Sequence, residues 1–119
     1  SIPSVALMKQ ADIAGTCSGR DVDKFAATGL TPVGSTLVNA PYVEQCPLVL
    51  ECEVVHMHDL GVHVQFVGRV LDVKADISVL DENGLPDLAK VAPFSFSPAN
   101  LGYYGMGGFL AKAFSLGGE

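Results

Sequence analysis

His56, His58 and His63 fall within eight positions of one another, and Ser18-Gly19-Arg20 with Lys24 sets a hydroxyl, a side-chain-free residue and two cations side by side. Clustered imidazoles are candidate metal ligands. A hydroxyl, backbone amides at a helix start and nearby cations suit a phosphate. Each group also has a plainer reading. Histidines near the end of a hairpin are commonly just solvated, and a Ser ahead of a helix satisfies that helix's own orphan amides. His56 and His58 share one side of a strand while His63 lies across a turn, so three ligands need not converge, and no HExxH or Cys-His spacing supports them. The sequence contains no nucleophile elbow, P-loop, GxGxxG or Ser-His-Asp order.

The elements that must position these groups are legible to different degrees. Ser4 ahead of Val5, Leu7, Met8, Ala11 and Ile13 predicts a short helix ending near Gly15. Ser18 and Asp21 form an S-x-x-D capping pattern ahead of Val22, Phe25 and Ala26, with Gly29 suited to a left-handed stop. Thr31-Pro32 and Ala40-Pro41 bracket Ser35 to Asn39, which reads as a short extended piece. From Cys46 the period changes to two. Cys46 to His58 and Val62 to Val73 predict two long strands joined at Asp59-Leu60-Gly61, half-buried, with a bulge at Gly68 and strand character extending to Val79. Asp81-Glu82-Asn83-Gly84 predicts a turn, and Leu85 to Val91 one helical turn around Asp87, Leu88 and Val91. Six of the nine Phe and Tyr residues lie from Phe94 onward, Tyr103 and Tyr104 among them, where core or interface roles are commoner than ring stacking.

Composition narrows the function. With 119 residues, 49% of them hydrophobic, one domain over residues 1–119 is expected, β-dominated and of the α+β class. A net charge of −6 with scattered Lys and Arg disfavours nucleic acid and anionic membranes as partners. The long uncharged run Val91 to Ala111 is broken by prolines and glycines, so no membrane span is expected. Cys17, Cys46 and Cys52 are an odd set without CxxC spacing, which fits a reducing cytoplasm better than a disulfide framework. The chain starts at Ser1 without an initiator Met or a signal pattern, and the expectation is that it begins inside a larger reading frame.

One ordered series of short motifs goes further. Cys17-Ser18-Gly19-Arg20-Asp21-Val22-Asp23-Lys24-Phe25, Gly29-Leu30-Thr31-Pro32, Ala40-Pro41, Glu44-Gln45-Cys46-Pro47, Leu50-Glu51-Cys52, Gly61-Val62-His63 and Phe66-Val67-Gly68-Arg69-Val70 follow one another along nearly the whole chain. In that order and spacing the chain resembles the flavin reductase-like, FMN-binding split-barrel family, which includes the flavoredoxins. Tyr103-Tyr104 and Phe114-Ser115-Leu116-Gly117 are similar to that family's C-terminal segments, whereas Arg69 stands where the family often has an acid.

The resemblance implies a six-stranded Greek-key barrel that forms a homodimer, with FMN near the dimer interface and electrons arriving from NAD(P)H or a protein donor. It implies that the family's N-terminal barrel strands, and the FMN contacts they carry, are missing from this chain. It places Ser18, Gly19, Arg20 and Lys24 near the FMN phosphate, His63 beside the flavin, and Tyr103 or Tyr104 along the ring or substrate channel. None of these would be a covalent catalyst, because the flavin carries the redox chemistry. Two other accounts stand beside this one: a non-catalytic dimerising module of the same fold, and a metal-binding β protein using the three histidines.

Overall fold

In the computed structural model, which describes residues 1–117, one long antiparallel ribbon projects from a layer of short helices and smaller ribbons. β3 (Leu48–Asp59) and β4 (Val64–Ala75) form that ribbon, as the period-two pattern requires. β1 (Pro32–Gly34) pairs with β2 (Pro41–Val43), and β5 (Phe94–Ser97) with β6 (Gly102–Gly105), both antiparallel. Among the described residues the six strands form three separate two-stranded sheets, so no closed barrel is made within the chain.

Several elements differ from expectation. The first helix opens as a 3-10 turn, Val5–Leu7, and continues as α1 (Met8–Thr16), passing Gly15; the Ser4 hydroxyl makes no capping bond. α2 (Lys24–Thr28) is capped by Asp23 rather than by the Ser18 pair. The Asp23 carboxylate accepts from the Phe25 and Ala26 amides at 3.0 and 3.1 Å, and Gly29 closes the helix at φ 68° as expected. Ser18 instead builds the preceding turn, its carbonyl accepting from the Asp21 and Val22 amides. Ser35 to Asn39 is a loop. The extended pieces are the Pro-initiated segments on either side of it, which pair with each other.

The hairpin's root and its far end are different environments. Val49 and Glu51 point inward and are buried, as is Cys46 just before the strand. Farther out, Val54, Met57, Val62, Val64 and Phe66 are exposed, so the half-buried strand predicted for the whole ribbon exists only at its base. The physical reason is coverage: among the described residues no layer packs on the outer part of either face. Two bulges shape the ribbon. Val55 has no partner between the pairs Val54↔Gly68 and His56↔Val67, and Leu71 has none between Glu51↔Asp72 and Cys52↔Val70. Gly68 therefore flanks a bulge rather than forming it. A Cβ there would lie 3.1 Å from the Cβ of Cys52, so the two strands meet closely because this residue has no side chain.

After β4 the chain leaves strand geometry at Ala75, earlier than Val79, and makes a 3-10 turn at Ile77–Val79. The Asp81–Gly84 turn forms as predicted, with the Asp81 carboxylate accepting from the Asn83 and Leu85 amides. That bonding, the Leu85 amide foremost, holds its pKa below the usual value. α3 (Leu88–Val91) is the expected single turn. Asp87 caps it, and Val91 lies fully buried with Val79 in the small core.

Candidate functional site

Ser18, Gly19 and Arg20 occupy the turn between α1 and α2, one turn ahead of the helix they were expected to start. The Ser18 hydroxyl accepts from the Arg20 amide at 3.2 Å, and so braces the turn. Lys24, at the first helical position, donates from Nζ to the Ala14 carbonyl at 2.6 Å. It thereby satisfies a C-terminal carbonyl of α1 and locks α1 against α2, a favourable end for a cation. Of the two cations, Arg20 is the exposed one. Its guanidinium has no hydrogen-bond or ion-pair partner among the described residues.

Beside this turn, Ala14, Lys24, Phe25, Thr28, Leu30 and Val43 line an apolar cleft of about 190 Å³. Ligand clefts run at roughly 300–1,000 Å³, so this one holds a fragment of a large ring system and not the whole.

His63 sits at the far end of the ribbon, where its carbonyl accepts from the Leu60 amide at 2.8 Å and Asp59 caps the Gly61 amide at the same distance. The residue is exposed. No hydrogen bond or ring contact among the described residues joins it to Ser18, Arg20, Lys24, Tyr103 or Tyr104. His56 and His58 do share a face, their ring centroids 6.2 Å apart, but no group of three or more metal-binding side chains gathers among the described residues.

Tyr103 and Tyr104 are adjacent on β6 and so point to opposite faces of the β5–β6 ribbon. Tyr103 stands opposite Phe96 and packs edge-on to Phe94, with both ring centroids 5.5 Å away. Its hydroxyl donates to Asp12 Oδ1 on α1 at 2.6 Å, which raises the phenol's pKa because the neutral form is the donor. Tyr104 instead accepts a hydrogen bond from the side-chain amide of Asn100. The two tyrosines thus cannot both border one ring from a single face of this ribbon.

A well-organised polar group lies outside the residues that the sequence motifs mark for a ligand. Glu51, 2% exposed, accepts from the Thr36 amide at 3.0 Å and the Leu37 amide at 2.7 Å, and Lys74 Nζ lies 2.9 Å from its Oε1. The Thr36 amide, then Lys74, hold the carboxyl down at about 2. Lys74 also donates to Asp72 at 2.6 Å, and these two carboxylates, Asp72 first, raise the ammonium's pKa while Asp72 itself is lowered. The signal was available: Glu51 is in phase with Val49, which places a carboxylate on the face turned inward. The neighbouring Cys46 thiol is buried, and burial pushes its pKa up. Cys17, Cys46 and Cys52 are all free thiols.

This architecture has known counterparts. Residues 4–103 match the flavin reductase like domain, and the chain belongs to that family, with its split-barrel fold. The chain superposes at TM-score 0.91 on flavoredoxin of Desulfovibrio vulgaris (Miyazaki F), 49% identical, over 99% of this chain and 63% of that one. It is similar also to a putative flavin reductase with a split barrel domain from Shewanella frigidimarina NCIMB 400, at TM-score 0.73 and 27% identity, over 93% of this chain and 56% of that one. An FMN-binding protein from Thermus thermophilus with bound 1-cyclohex-2-enone gives TM-score 0.72 at 26% identity, over 94% of this chain and 60% of that one. The chain spans about half the length of the curated relatives it matches. Among the described residues no helix is long and apolar enough to cross a membrane.

Proposed function

We propose that the protein is an FMN-dependent oxidoreductase of the flavin reductase and flavoredoxin type, taking electrons from NAD(P)H or a protein donor and passing them to a flavin, ferric or protein acceptor. The observation that carries this reading is membership of the flavin reductase like family combined with superposition of nearly the whole chain on a flavoredoxin. FMN, when bound, supplies the electron and hydride chemistry, and the chain's own groups hold and orient it.

The residues fit that task in part. Arg20 offers a guanidinium unpaired among the described residues, beside the Gly19 backbone, for a phosphate, and Ser18 sets the shape of their turn. Lys24 supports the same turn through Ala14. His63 is the group for the ring, and its place at a ribbon tip suits delivery to a site shared with a second copy. Tyr103, braced by Asp12, fixes the aromatic face of β5–β6. The cleft beside Lys24 is too small to enclose the ring by itself, which supports a site whose remaining walls are supplied from elsewhere. A homodimer supplies some of them. Apolar side chains exposed on the outer ribbon, with Val54 at 59%, Phe66 at 60% and Met57 at 67%, favour such pairing. Three free thiols suit a cytoplasmic setting.

A second reading, a non-catalytic dimerising module of the same fold, is favoured by that small cleft together with the apolar ribbon. Titration with FMN separates the two. Quenched flavin fluorescence and a shifted visible band are expected for the oxidoreductase. A stable dimer that leaves the spectrum of saturating FMN unchanged removes it in favour of the module.

A further inference from the structure

Glu51 belongs to none of the groups expected to touch a flavin, yet it is a buried carboxylate with a full set of partners. Two consecutive amides, Thr36 and Leu37, converge on its two oxygens at 3.0 and 2.7 Å, and the Lys74 ammonium approaches Oε1 at 2.9 Å. Consecutive backbone amides turned toward one point are how chains bind free anions. Here the anion is covalently part of the next ribbon. We propose that Glu51 is an internal anion that clips the Ser35–Ala40 loop to the root of the long hairpin, so that removing its charge frees this loop as a local unit.

The chain offers the loop few other restraints. Ser35 to Ala40 makes no strand pairing of its own, and its hydrogen bonds to β3 run through Glu51. The clip therefore joins the β1–β2 ribbon to the β3–β4 ribbon, and the loop wall of the shallow cleft at Gly34, Ser35, Val38 and Pro41 depends on it. The charges facing Glu51 are Lys74 and Asp72, both on β4, and the loop itself carries no titratable side chain. Lys74 favours the ionised carboxylate, and Asp72 shares that ammonium. Removing Lys74 while keeping Glu51 should leave the clip closed at neutral pH and let acid open it at a higher pH. Removing the carboxylate should leave a formate-sized space ringed by two amides and an ammonium.

Amide hydrogen exchange of the whole chain, read residue by residue, tests this. In Glu51→Gln and Glu51→Ala, Thr36 and Leu37 are expected to exchange about tenfold faster or more, the scale of losing hydrogen bonds to a charged acceptor, over and above any smaller acceleration that the β3–β4 ladder shows from lowered global stability. Formate added to Glu51→Ala should slow both amides again, and chloride at equal ionic strength should not. Lys74→Met should shift the acid release of the same two amides upward in pH. Unchanged exchange at Thr36 and Leu37 in Glu51→Gln, or equal acceleration of amides throughout the chain, would overturn the proposal. If Glu51→Ala does not fold, Glu51→Gln and Lys74→Met still decide it. Neither depends on flavin being bound.

Discussion

The Tyr103 hydroxyl donates to Asp12 Oδ1 at 2.6 Å across 91 positions of sequence, fastening β6 to α1. Because the donor is the neutral phenol, its pKa is raised in the folded chain relative to the unfolded one. A raised value means that the bond's contribution is complete below the ordinary tyrosine range and is lost as pH climbs through the raised pKa. Absorbance titration of tyrosinate should find Tyr103 ionising above the ordinary range, and Asp12→Asn should bring it back down. Tyr103→Phe should flatten the alkaline fall in stability measured by urea unfolding. An unmoved Tyr103 titration in Asp12→Asn would contradict the assignment.

Arg20 and Lys24 should separate when challenged with two flavins. Arg20→Ala is expected to weaken FMN about tenfold while leaving riboflavin unaffected, since only FMN carries the phosphate. Lys24→Met should weaken both, because Lys24 holds α1 to α2 through the Ala14 carbonyl. Fluorescence titration supplies each affinity. Equal losses for the two flavins in Arg20→Ala would move the phosphate elsewhere.

Acid should reveal Glu51 in the global stability as well as in its loop. Its pKa falls from 4.5 to about 2 on folding, so between those values the unfolded chain binds more protons. The stabilisation is therefore present above the unfolded value and is lost as pH drops toward about 2. Urea midpoints measured across that window should fall steeply for the parent and less steeply for Glu51→Gln, which should already be weaker at neutral pH.

Two substitutions outside the groups expected to touch a flavin calibrate the scaffold. Val91→Ala empties a fully buried position and should cost about 2 kcal/mol, from the methyl groups lost and the cavity left. Asp23→Ala removes two capping bonds from α2 and should cost about 1 kcal/mol. Urea unfolding at constant slope reads both.

What the sequence made legible follows the range of each interaction. The hairpin, the Gly29 stop, the Asp81–Gly84 turn and the Asp87-led turn of helix are all written in residues within a few positions of one another. Ser18, Asp21 and Asp23 all carry cap-forming side chains, so the sequence pattern points to the first two while backbone geometry alone selects Asp23. Ser35 to Asn39 is a loop and not the extended piece its bracketing prolines suggest, because each neighbouring proline starts a strand rather than ending one.

By itself the sequence determined the period, the punctuation and the family, since local periodicity fixes each strand and an ordered motif series marks common descent. Tertiary structure alone decided which strand face turns inward, that Lys24 is spent on Ala14 while Arg20 stays free among the described residues, and that Asp12 meets Tyr103. Those choices depend on partners brought together by chain reversal. The same donor and acceptor types occur at many other positions, so only the packed geometry selects the pairs that form.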